Sequence, residues 1–267
     1  LIGLSGGIDS ALTLAMAVDA LGAEKVRAVM MPSPYTSQDS LDDAADCARR
    51  LGVRLDEIGI GAAMAAFGSM LTPVLDGAAM SDITAQNVQS RARGLALMAL
   101  SNQTGAMLLT TGNKSEMAVG YATLYGDMCG GYNALKDLYK TEVFALSRWR
   151  NGAVPTDGLG PAGVVIPERI ITKPPSAELK PDQTDQDNLP PYEVLDDILF
   201  CLVEQELGLD EILARGHDRA TVDKVWRLLD RSEYKRRQAP PGAKISRRAF
   251  GKERRYPMTN RFVSVLG

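Results

Sequence analysis

The chain has 267 residues, of which 45% are hydrophobic, and it carries a formal net charge of −3. This is enough apolar material for one large core or two modest ones. No apolar run approaches the ~20 residues that cross a bilayer. A charged-then-apolar signal segment is also absent, so we expect no membrane contact.

Charge is distributed unevenly along the chain. Residues 231–261 contain eleven of the 30 basic residues but two of the 33 acidic residues. The remainder therefore holds nineteen basic and thirty-one acidic residues. A basic tail on an acidic body suits either a clamp over a polyanionic ligand or a nucleic-acid contact.

Cysteine and histidine usage argues against several kinds of site. The cysteines Cys47, Cys129 and Cys201 are odd in number and lack metal-ligand spacing, which indicates a reducing, cytoplasmic location. His217 is the single histidine, so a Ser-His-Asp triad or a histidine-rich zinc site would depend on it alone. Its Arg-Gly-His-Asp context indicates a helix cap or a surface residue. The chain also opens inside a strand without methionine, which we interpret as a missing N-terminal part.

The first ten residues have the pattern of a phosphate-binding turn. Residues 1–4 predict a buried strand, the turn Ser5 to Ser10 (Ser-Gly-Gly-Ile-Asp-Ser) follows, and residues 11–21 predict a helix. Glycines and helix N-terminal N–H groups accommodate phosphate oxygens, and serine hydroxyls can donate to them. Asp9 is useful beside phosphate only through a divalent cation. The alternative is a tight strand-to-helix turn capped by Ser10.

The remaining elements of the first 150 residues alternate between strands and helices. The predicted strands are 25–31, 53–60 and 106–111, and the predicted helices are 41–51, 62–75, 82–102 and 140–149. This order predicts an α/β fold with a doubly wound, Rossmann-like parallel sheet and right-handed crossovers. Ligands of such sheets bind at the carboxyl ends of the strands, where the first turn lies.

A second polar turn, Thr111 to Glu116 (Thr-Gly-Asn-Lys-Ser-Glu), follows the strand 106–111. Asp9 and Glu116 could together hold a magnesium ion between triphosphate oxygens. The alternative is that Glu116 merely complements a helix N-terminus. Asn87 and Arg91 share one face of the preceding helix, which is either a binding face or a solvated one.

Aromatic residues among glycines follow in residues 120–127. Tyr121 and Tyr125 lie close to the carboxylate of Asp127 in this stretch. The pattern indicates a platform for a planar ring, although two tyrosines in a turn can also serve only for packing.

Three regions are expected along the chain. Residues 1–150 form the parallel-sheet core, residues 151–190 a mobile loop and an extended segment, and residues 191–267 a small C-terminal helical region with the basic tail. Glycines, prolines and the lack of an apolar period in 151–165 predict a mobile loop or lid. The predicted C-terminal helices are 192–206, 210–215 and 219–231.

Several ordered motifs together resemble one family along nearly the whole chain. They are Leu4–Ser10, Met31–Ser33 with Tyr35–Ser37, Asn87–Arg93, Thr110–Tyr121 continuing to Tyr125–Asp127, Ile166–Arg169, Pro175–Gln183 and Tyr234–Gln238. Ser-Gly-Gly-x-Asp-Ser after a strand is similar to the pyrophosphate loop of the N-type ATP pyrophosphatases, of the adenine-nucleotide alpha-hydrolase type. The full set resembles the synthetase (ammonia-ligase) domain of the glutamine-dependent NAD synthetase family.

The resemblance implies a two-step ligase reaction. The nicotinate carboxylate of deamido-NAD would attack the α-phosphorus of ATP and expel pyrophosphate, and ammonia would then displace AMP to give NAD. ATP is thus a co-substrate, and Mg²⁺ is the implied cofactor. Members of this family form dimers with deamido-NAD at the subunit interface, so a homodimer or a higher homo-oligomer is expected.

The resemblance also implies roles for residues at matching positions. ATP and pyrophosphate would be bound by Ser5, Gly6, Gly7, Ile8, Asp9, Ser10, Met30, Thr111, Lys140 and Ser176. The catalytic residues would be Asp9, Thr111, Lys140 and Ser176. Deamido-NAD would contact Asn87, Arg91, Tyr121, Asp127, Lys235 and Arg236, of which the last two would close over the phosphates. Mg²⁺ would bind Asp9 and Glu116.

Two departures from the family pattern limit these implications. The ammonia-only branch has an arginine near adenine where this chain has Met30, so adenine recognition is expected to rest on apolar contact and backbone groups. The glutamine-dependent branch carries an N-terminal amidase domain with a catalytic cysteine, which is absent from this sequence. Cys129 is no substitute, because nothing around it forms the Glu-Lys-Cys set. We therefore expect the use of free ammonia, or of ammonia from glutamine through an amidase domain elsewhere.

Two rival functions remain open. One is another N-type ATP pyrophosphatase, GMP synthetase-like or tRNA-modifying, although we expect RNA binding to be at most weak and salt-dependent. Nucleic acid is therefore not an expected partner. The other rival is a non-enzymatic ATP-binding regulatory module, which would bind nucleotide without releasing pyrophosphate.

Overall fold

A parallel β-sheet forms the centre of the computed structural model, which describes residues 1–181, 183–251 and 253–259. Its strands are β1 (Ile2–Gly3), β2 (Arg27–Met30), β3 (Arg54–Glu57), β4 (Leu109–Thr110) and β5 (Tyr132–Asn133). They lie in the order β3-β2-β1-β4-β5, and every pairing is parallel. The predicted doubly wound α/β fold is therefore confirmed. The two-residue strand β5 was not predicted.

Helices cover both faces of this sheet. The helices of the sheet region are α1 (Ile8–Leu21), α2 (Gln38–Leu51), α3 (Gly61–Leu71), α4 (Asp82–Thr104), α5 (Lys114–Val119), α6 (Lys140–Gly152) and α7 (Glu168–Thr172). A 3-10 turn, Thr72–Leu75, follows α3. On one face α1 packs between α2 and α6, and its Leu12, Leu14 and Val18 are fully buried. On the other face, Leu97 and Met98 of α4 pack against Val29 and Leu108.

The C-terminal region forms a second core. Its helices are α8 (Tyr192–Phe200), α9 (Leu209–Leu213), α10 (Arg219–Arg231) and α11 (Glu233–Arg236), with a π turn at Cys201–Gln205. Val222, Val225 and Leu229 follow helical spacing on α10, and all three are fully buried. They pack in one cluster with Leu195 of α8 and Met117 of α5. The second core therefore includes α5, the helix that follows the carboxyl end of β4.

The basic tail is more neutral than its composition indicates. Arg248 and Arg254 both contact Glu206, and Arg236 and Arg237 both contact Glu233. The two glutamates therefore offset half of the charge of these four arginines within the C-terminal region. Lys252 and residues 260–267, including Arg261, lie outside the described residues, as does Asp182 of the Pro175–Gln183 motif.

Residues 151–165 do not form the predicted lid. The Asn151 side chain accepts hydrogen bonds from the N–H groups of Val165 and Ile166, and the Leu159 N–H donates to the carbonyl of Asp19 near the end of α1. A buried ion pair between Arg150 and Asp19 lies at the same end of α1. The Ser5–Ser10 turn lies at the opposite end of α1, so these contacts hold the segment away from that turn.

The remaining sequence expectations concern single features. Within the described residues, no helix is long and apolar enough for a membrane span. All three cysteines are unpaired, with Cys47 and Cys201 buried. His217 precedes the N-cap of α10, and its Nε2 lies 2.6 Å from Asp197 Oδ2.

Candidate active site

A cavity of about 310 Å³ opens at the carboxyl ends of β1, β2 and β4. Twelve of the residues that were predicted to bind or act on ligands line it: Ser5, Gly7, Ile8, Asp9, Ser10, Met30, Thr111, Glu116, Tyr121, Asp127, Lys140 and Ser176. They come from sequence positions more than 160 residues apart. The parallel topology brings them together because parallel strands end at one edge of the sheet.

The first turn is organised by its own serines. Ser10 Oγ donates to the carbonyl of Gly7 at 3.0 Å and lies 3.1 Å from Ser5 Oγ, which in turn accepts from the Gly7 N–H. A Cβ on Gly6, whose φ is +80°, would lie 2.2 Å from the Ser40 carbonyl oxygen, so this turn needs glycine there. Within the described residues no side chain caps α1, which leaves its first N–H groups for an anion.

Lys140 connects two acidic residues beside this turn. Its Nζ lies 2.5 Å from Asp9 Oδ2 and 3.2 Å from Glu116 Oε1. Asn113 Nδ2 donates to the other oxygen of Asp9 at 2.8 Å. Asn113 also caps α5 in a capping box with Glu116. The three charged groups therefore sit at the N-termini of α1, α5 and α6, and their separations are fixed by helix packing.

Burial perturbs the ionisation of this cluster. Burial raises the pKa of Glu116 to about 8, with Asp9 and Asp185 adding to the rise and Lys140 opposing it. Burial alone would lower the pKa of Lys140, but the carboxylates of Asp9 and Glu116 outweigh it and the pKa is raised. The ammonium is thus held as a fixed positive charge next to the anion-binding turn.

A buried carboxylate from the C-terminal region joins the two helices that carry Glu116 and Lys140. Asp196 on α8 accepts from Ser115 Oγ at 2.5 Å, and its other oxygen accepts from both the N–H and the Oγ1 of Thr141 at 2.8 Å. The Lys140 N–H donates to Ser115 Oγ at 2.9 Å. Asp196 therefore clamps the first turns of α5 and α6 together.

Lys114, the first residue of α5, is completely buried. Its Nζ lies 2.5 Å from Glu204 Oε1 and 2.8 Å from Asp137 Oδ1. It also donates to Ser246 Oγ at 2.6 Å and to the Arg248 carbonyl at 3.0 Å. The start of the helix that carries Glu116 is therefore fastened to the C-terminal tail.

The segment 173–179 forms part of the cavity lining. Lys173 and Glu178 both line the cavity. The carboxylate of Glu178 accepts from Ser37 Oγ at 2.8 Å and Ser40 Oγ at 2.7 Å, which ties the segment to the start of α2. Ser176 Oγ donates to the Gln183 carbonyl at 2.5 Å.

Comparison with known proteins gives the family. The family model described as NAD synthase matches residues 1–239. The glutamine-dependent NAD(+) synthetase of Rhodobacter capsulatus is 61% identical over 261 residues, which is 98% of this chain and 47% of that protein. The chain belongs to the NAD synthase family. It spans about half the length of the curated relatives that it matches.

Solved structures of this family have a similar fold. The glutamine-dependent NAD+ synthetase of Acinetobacter baumannii, in complex with ADP, matches with a TM-score of 0.61 and 51% identity, over 96% of this chain and 45% of that one. The glutamine-dependent NAD(+) synthetase of Cytophaga hutchinsonii matches with a TM-score of 0.79 over 99% of this chain and 50% of that one. Its 20% identity makes that likeness one of fold alone.

Four residues that the NAD synthase resemblance implied for deamido-NAD do not line the cavity formed by the described residues. They are Asn87, Arg91, Lys235 and Arg236. Each instead contacts the segment 118–124 that carries Tyr121. Lys235 Nζ donates to the carbonyls of Gly120 and Ala122 at 2.6 Å each, and Arg236 donates to the carbonyl of Ala118 at 2.6 Å.

The other two contacts come from α4. Arg91 Nε donates to the carbonyl of Leu124, and Asn87 Oδ1 accepts from Thr123 Oγ1. The buried Arg236 also donates to the carbonyl of Leu229, and its closure over phosphates stays a prediction. In this NAD synthase chain the four residues support the Tyr121 segment from behind.

Three further cavity residues were not predicted. Asp185 accepts from Tyr192 Oη at 2.7 Å, and burial raises its pKa, with Tyr192 and Lys140 opposing the rise. It lies in the region 151–190, which the sequence predicted only as a mobile loop and an extended segment. Arg93 and Glu178 lie inside the motifs Asn87–Arg93 and Pro175–Gln183, but the sequence predicted no role for either residue.

Proposed function

We propose that this chain catalyses the ATP-dependent amidation of deamido-NAD to NAD, with release of AMP and pyrophosphate. The observation that carries the proposal is the position of Lys140 between Asp9 and Glu116, beside the Ser5–Ser10 turn. Membership of the NAD synthase family and the ADP named with the Acinetobacter baumannii structure support it.

Each part of the cavity has a task in this reaction. The N–H groups at the start of α1 and the hydroxyls of Ser5 and Ser10 would bind the departing diphosphate. The Lys140 ammonium would neutralise the charge that develops as the α–β phosphate bond breaks. Thr111 and Ser176 would donate hydroxyl hydrogen bonds to phosphate oxygens. The Tyr121 segment and Asp127 would orient the nicotinate end of deamido-NAD for in-line attack.

The donor set fits Mg²⁺. Magnesium prefers oxygen ligands and commonly takes one or two carboxylates together with substrate phosphates and waters. Asp9 and Glu116 offer two such carboxylates, and they already stabilise a positive charge, since Lys140 lies between them. No cluster of three or more candidate ligands occurs among the described residues, so phosphate oxygens would have to complete the shell. Bound there, Mg²⁺ would neutralise triphosphate charge.

We propose that the third substrate is ammonia, which the cavity need only admit and orient. Ammonia is itself nucleophilic, and a plausible histidine base is missing from this part of the chain. Relatives that carry glutamine in their names are about twice as long as this chain. An amidase domain outside this sequence is therefore the proposed source of ammonia from glutamine.

A homodimer is proposed from the surface of α3. This helix is apolar, yet none of its residues is buried in the part of the chain that the structure describes. Met70 is 68% exposed, and nearby Val74 and Ile83 are 74% and 64% exposed. An apolar surface of this kind marks an interaction site, and a second copy of the chain is the partner that the family resemblance implies.

The function is tested by incubating the chain with MgATP, deamido-NAD and ammonium chloride. We expect NAD, AMP and pyrophosphate in equal amounts. Turnover with xanthosine 5′-phosphate in place of deamido-NAD would instead favour a GMP synthetase-like enzyme. Tight ATP binding without pyrophosphate release under any of these conditions would point to a regulatory module and overturn the proposal.

A further inference from the structure

Arg93 on α4 has an incomplete set of hydrogen bonds. Its Nε donates to the carbonyl of Met31 at 3.1 Å. A guanidinium carries five N–H donors. Within the described residues, the hydrogen bonds of Arg93 end there, so its terminal nitrogens have no protein acceptor.

The arginines that are buried among the described residues, Arg150 and Arg236, behave differently from the half-buried Arg93. Arg150 uses its Nε and both terminal nitrogens on Asp19 and on the carbonyls of Ala153 and Pro161. Arg236 does the same with Glu233 and the carbonyls of Ala118 and Leu229. Buried arginines are normally satisfied in this way because desolvation of an unpaired cation is costly. Arg93 differs from both because it is half-buried, and it alone of the three lines the cavity.

Burial around Arg93 is substantial. It lowers the pKa of the guanidinium, an effect that the carboxylate of Glu178 opposes. The oxygens of Glu178 accept hydrogen bonds from Ser37 and Ser40 and none from Arg93 among the described residues. The terminal nitrogens of Arg93 are therefore available to a molecule bound in the cavity, which would take the place of solvent.

The surroundings of Arg93 suit a planar aromatic ring. Met30 and Met31 at the end of β2 and Leu97 of α4 form an apolar wall beside it. Methionine side chains adapt readily to flat aromatic surfaces. α4 approaches closely here, since a Cβ on Gly94 would lie 2.8 Å from the Gly126 carbonyl oxygen. Arg93 thus lies at the β2 side of the cavity. Strand β2 pairs with β1, and the Ser5–Ser10 turn that follows β1 is the proposed triphosphate site.

We infer that Arg93 binds the nucleobase of ATP by donating a terminal N–H to a ring nitrogen of adenine. The ring nitrogens N1, N3 and N7 are acceptors, whereas the N6 amino group is a donor and cannot take this bond. The inference deepens the proposed function and rests on it. It also replaces the expectation that adenine is held by apolar contact and backbone groups alone.

The test compares ATP with 1-deaza-, 3-deaza- and 7-deaza-ATP by calorimetric titration in Mg²⁺, using the chain itself and the variant Arg93→Met. In the unaltered chain, loss of one ring nitrogen should weaken binding about tenfold, as expected for a hydrogen bond to a charged donor. Arg93→Met should bind ATP about tenfold more weakly than the unaltered chain does. The deaza analogue that binds weakly to the unaltered chain should bind to Arg93→Met with the same affinity as ATP. Arg54→Met removes an exposed arginine on β3 and should preserve both affinities.

Binding of inorganic pyrophosphate distinguishes a contact of Arg93 with the base from a contact with the phosphates. The affinity for pyrophosphate should be unchanged in Arg93→Met, which also shows that the variant retains a folded site. A loss of pyrophosphate affinity would assign Arg93 to the phosphates and overturn the inference. Equal binding of ATP and all three analogues to the unaltered chain would overturn it without any variant. These titrations measure binding and need no turnover. A chain that binds ATP but forms no NAD would refute the proposed function, and the titrations would still test whether Arg93 binds adenine.

Discussion

At the scale of single residues, Asp9 joins three elements of the candidate site. Both of its oxygens accept hydrogen bonds, one from Asn113 and one from Lys140. It joins the first turn to the N-termini of α5 and α6. Its charge both balances Lys140 and provides a ligand for Mg²⁺ in the proposed reaction.

Asp9→Asn should therefore reduce pyrophosphate release by about 100-fold or more, because the proposed metal loses a charged ligand and the site loses a preorganised charge. The variant should stay folded, since the side chain is partly exposed at the cavity. Pyrophosphate release and far-UV circular dichroism measure the two effects. Asp46→Asn, on the outer face of α2, is the control. Turnover near normal would remove Asp9 from the site.

Glu116 gives a prediction for pH. Its folded pKa of about 8 lies above the ordinary value of 4.5, mainly because of burial. A raised pKa means that the folded state favours the protonated acid, so the contribution of this group to stability is complete below pH 4.5 and is lost as the pH rises through 8. Glutamine mimics the neutral acid at every pH.

Glu116→Gln should therefore become more stable relative to the unaltered chain between pH 5 and pH 9, by an amount on the order of a few kcal/mol. Urea unfolding at both pH values measures this difference, and other titrating groups cancel in the comparison. The same variant should lose most of its ligase activity. A stability difference that is constant or falls with pH would show that burial does not govern this carboxyl group.

At the scale of elements, Asp196 shows how the C-terminal region determines the geometry of the site. Asp196→Asn removes one acceptor from the contacts that join α5 to α6. We expect kcat to fall about tenfold, because Lys140 and Glu116 lose their fixed separation. The KM for ATP should change little, since the first turn is untouched. Steady-state kinetics measure both quantities.

Asp197→Asn is the matched control for this element. It removes the same charge one residue further along α8, where the carboxylate pairs with Arg215 and His217 on a partly exposed face. It should leave kcat unchanged. Equal losses in the two variants would mean that general destabilisation of α8, and not the clamp, causes the effect.

The alternation of apolar runs and turns was sufficient to predict the order of β1 to β4 and their helices. The predicted ends were too long, as with residues 53–60 for Arg54–Glu57. Strand β5 has two residues next to two glycines, too short for any periodicity. The positions of Asp9, Lys140 and Glu116 followed from motifs, whereas Asp196 and Asp185 depend on contacts between distant helices that local patterns do not contain.

At the scale of the whole molecule, the exposed apolar surface of α3 provides a test of assembly. Met70→Glu together with Val74→Glu should convert the proposed dimer to a monomer, because burying the new carboxylates in an apolar interface is costly. Sedimentation velocity measures the mass. Leu159→Glu changes an equally exposed apolar residue in the segment anchored to Asp19 and should leave the mass unaltered. A monomer in the unaltered chain would contradict the proposal.

The attachment of Lys114 has a consequence for where the cooperative unit ends. The stretch shared with the NAD synthase family model stops at residue 239. Ser246 and Arg248 lie beyond that limit. They nevertheless accept hydrogen bonds from the buried ammonium of Lys114, the first residue of α5. The border of the family model therefore differs from the border of the folded unit, whereas whole-chain alignment to the Rhodobacter capsulatus relative covers 98% of this chain. Truncation to residues 1–239 would remove two hydrogen-bond acceptors from the Lys114 ammonium, at the start of the helix that carries Glu116.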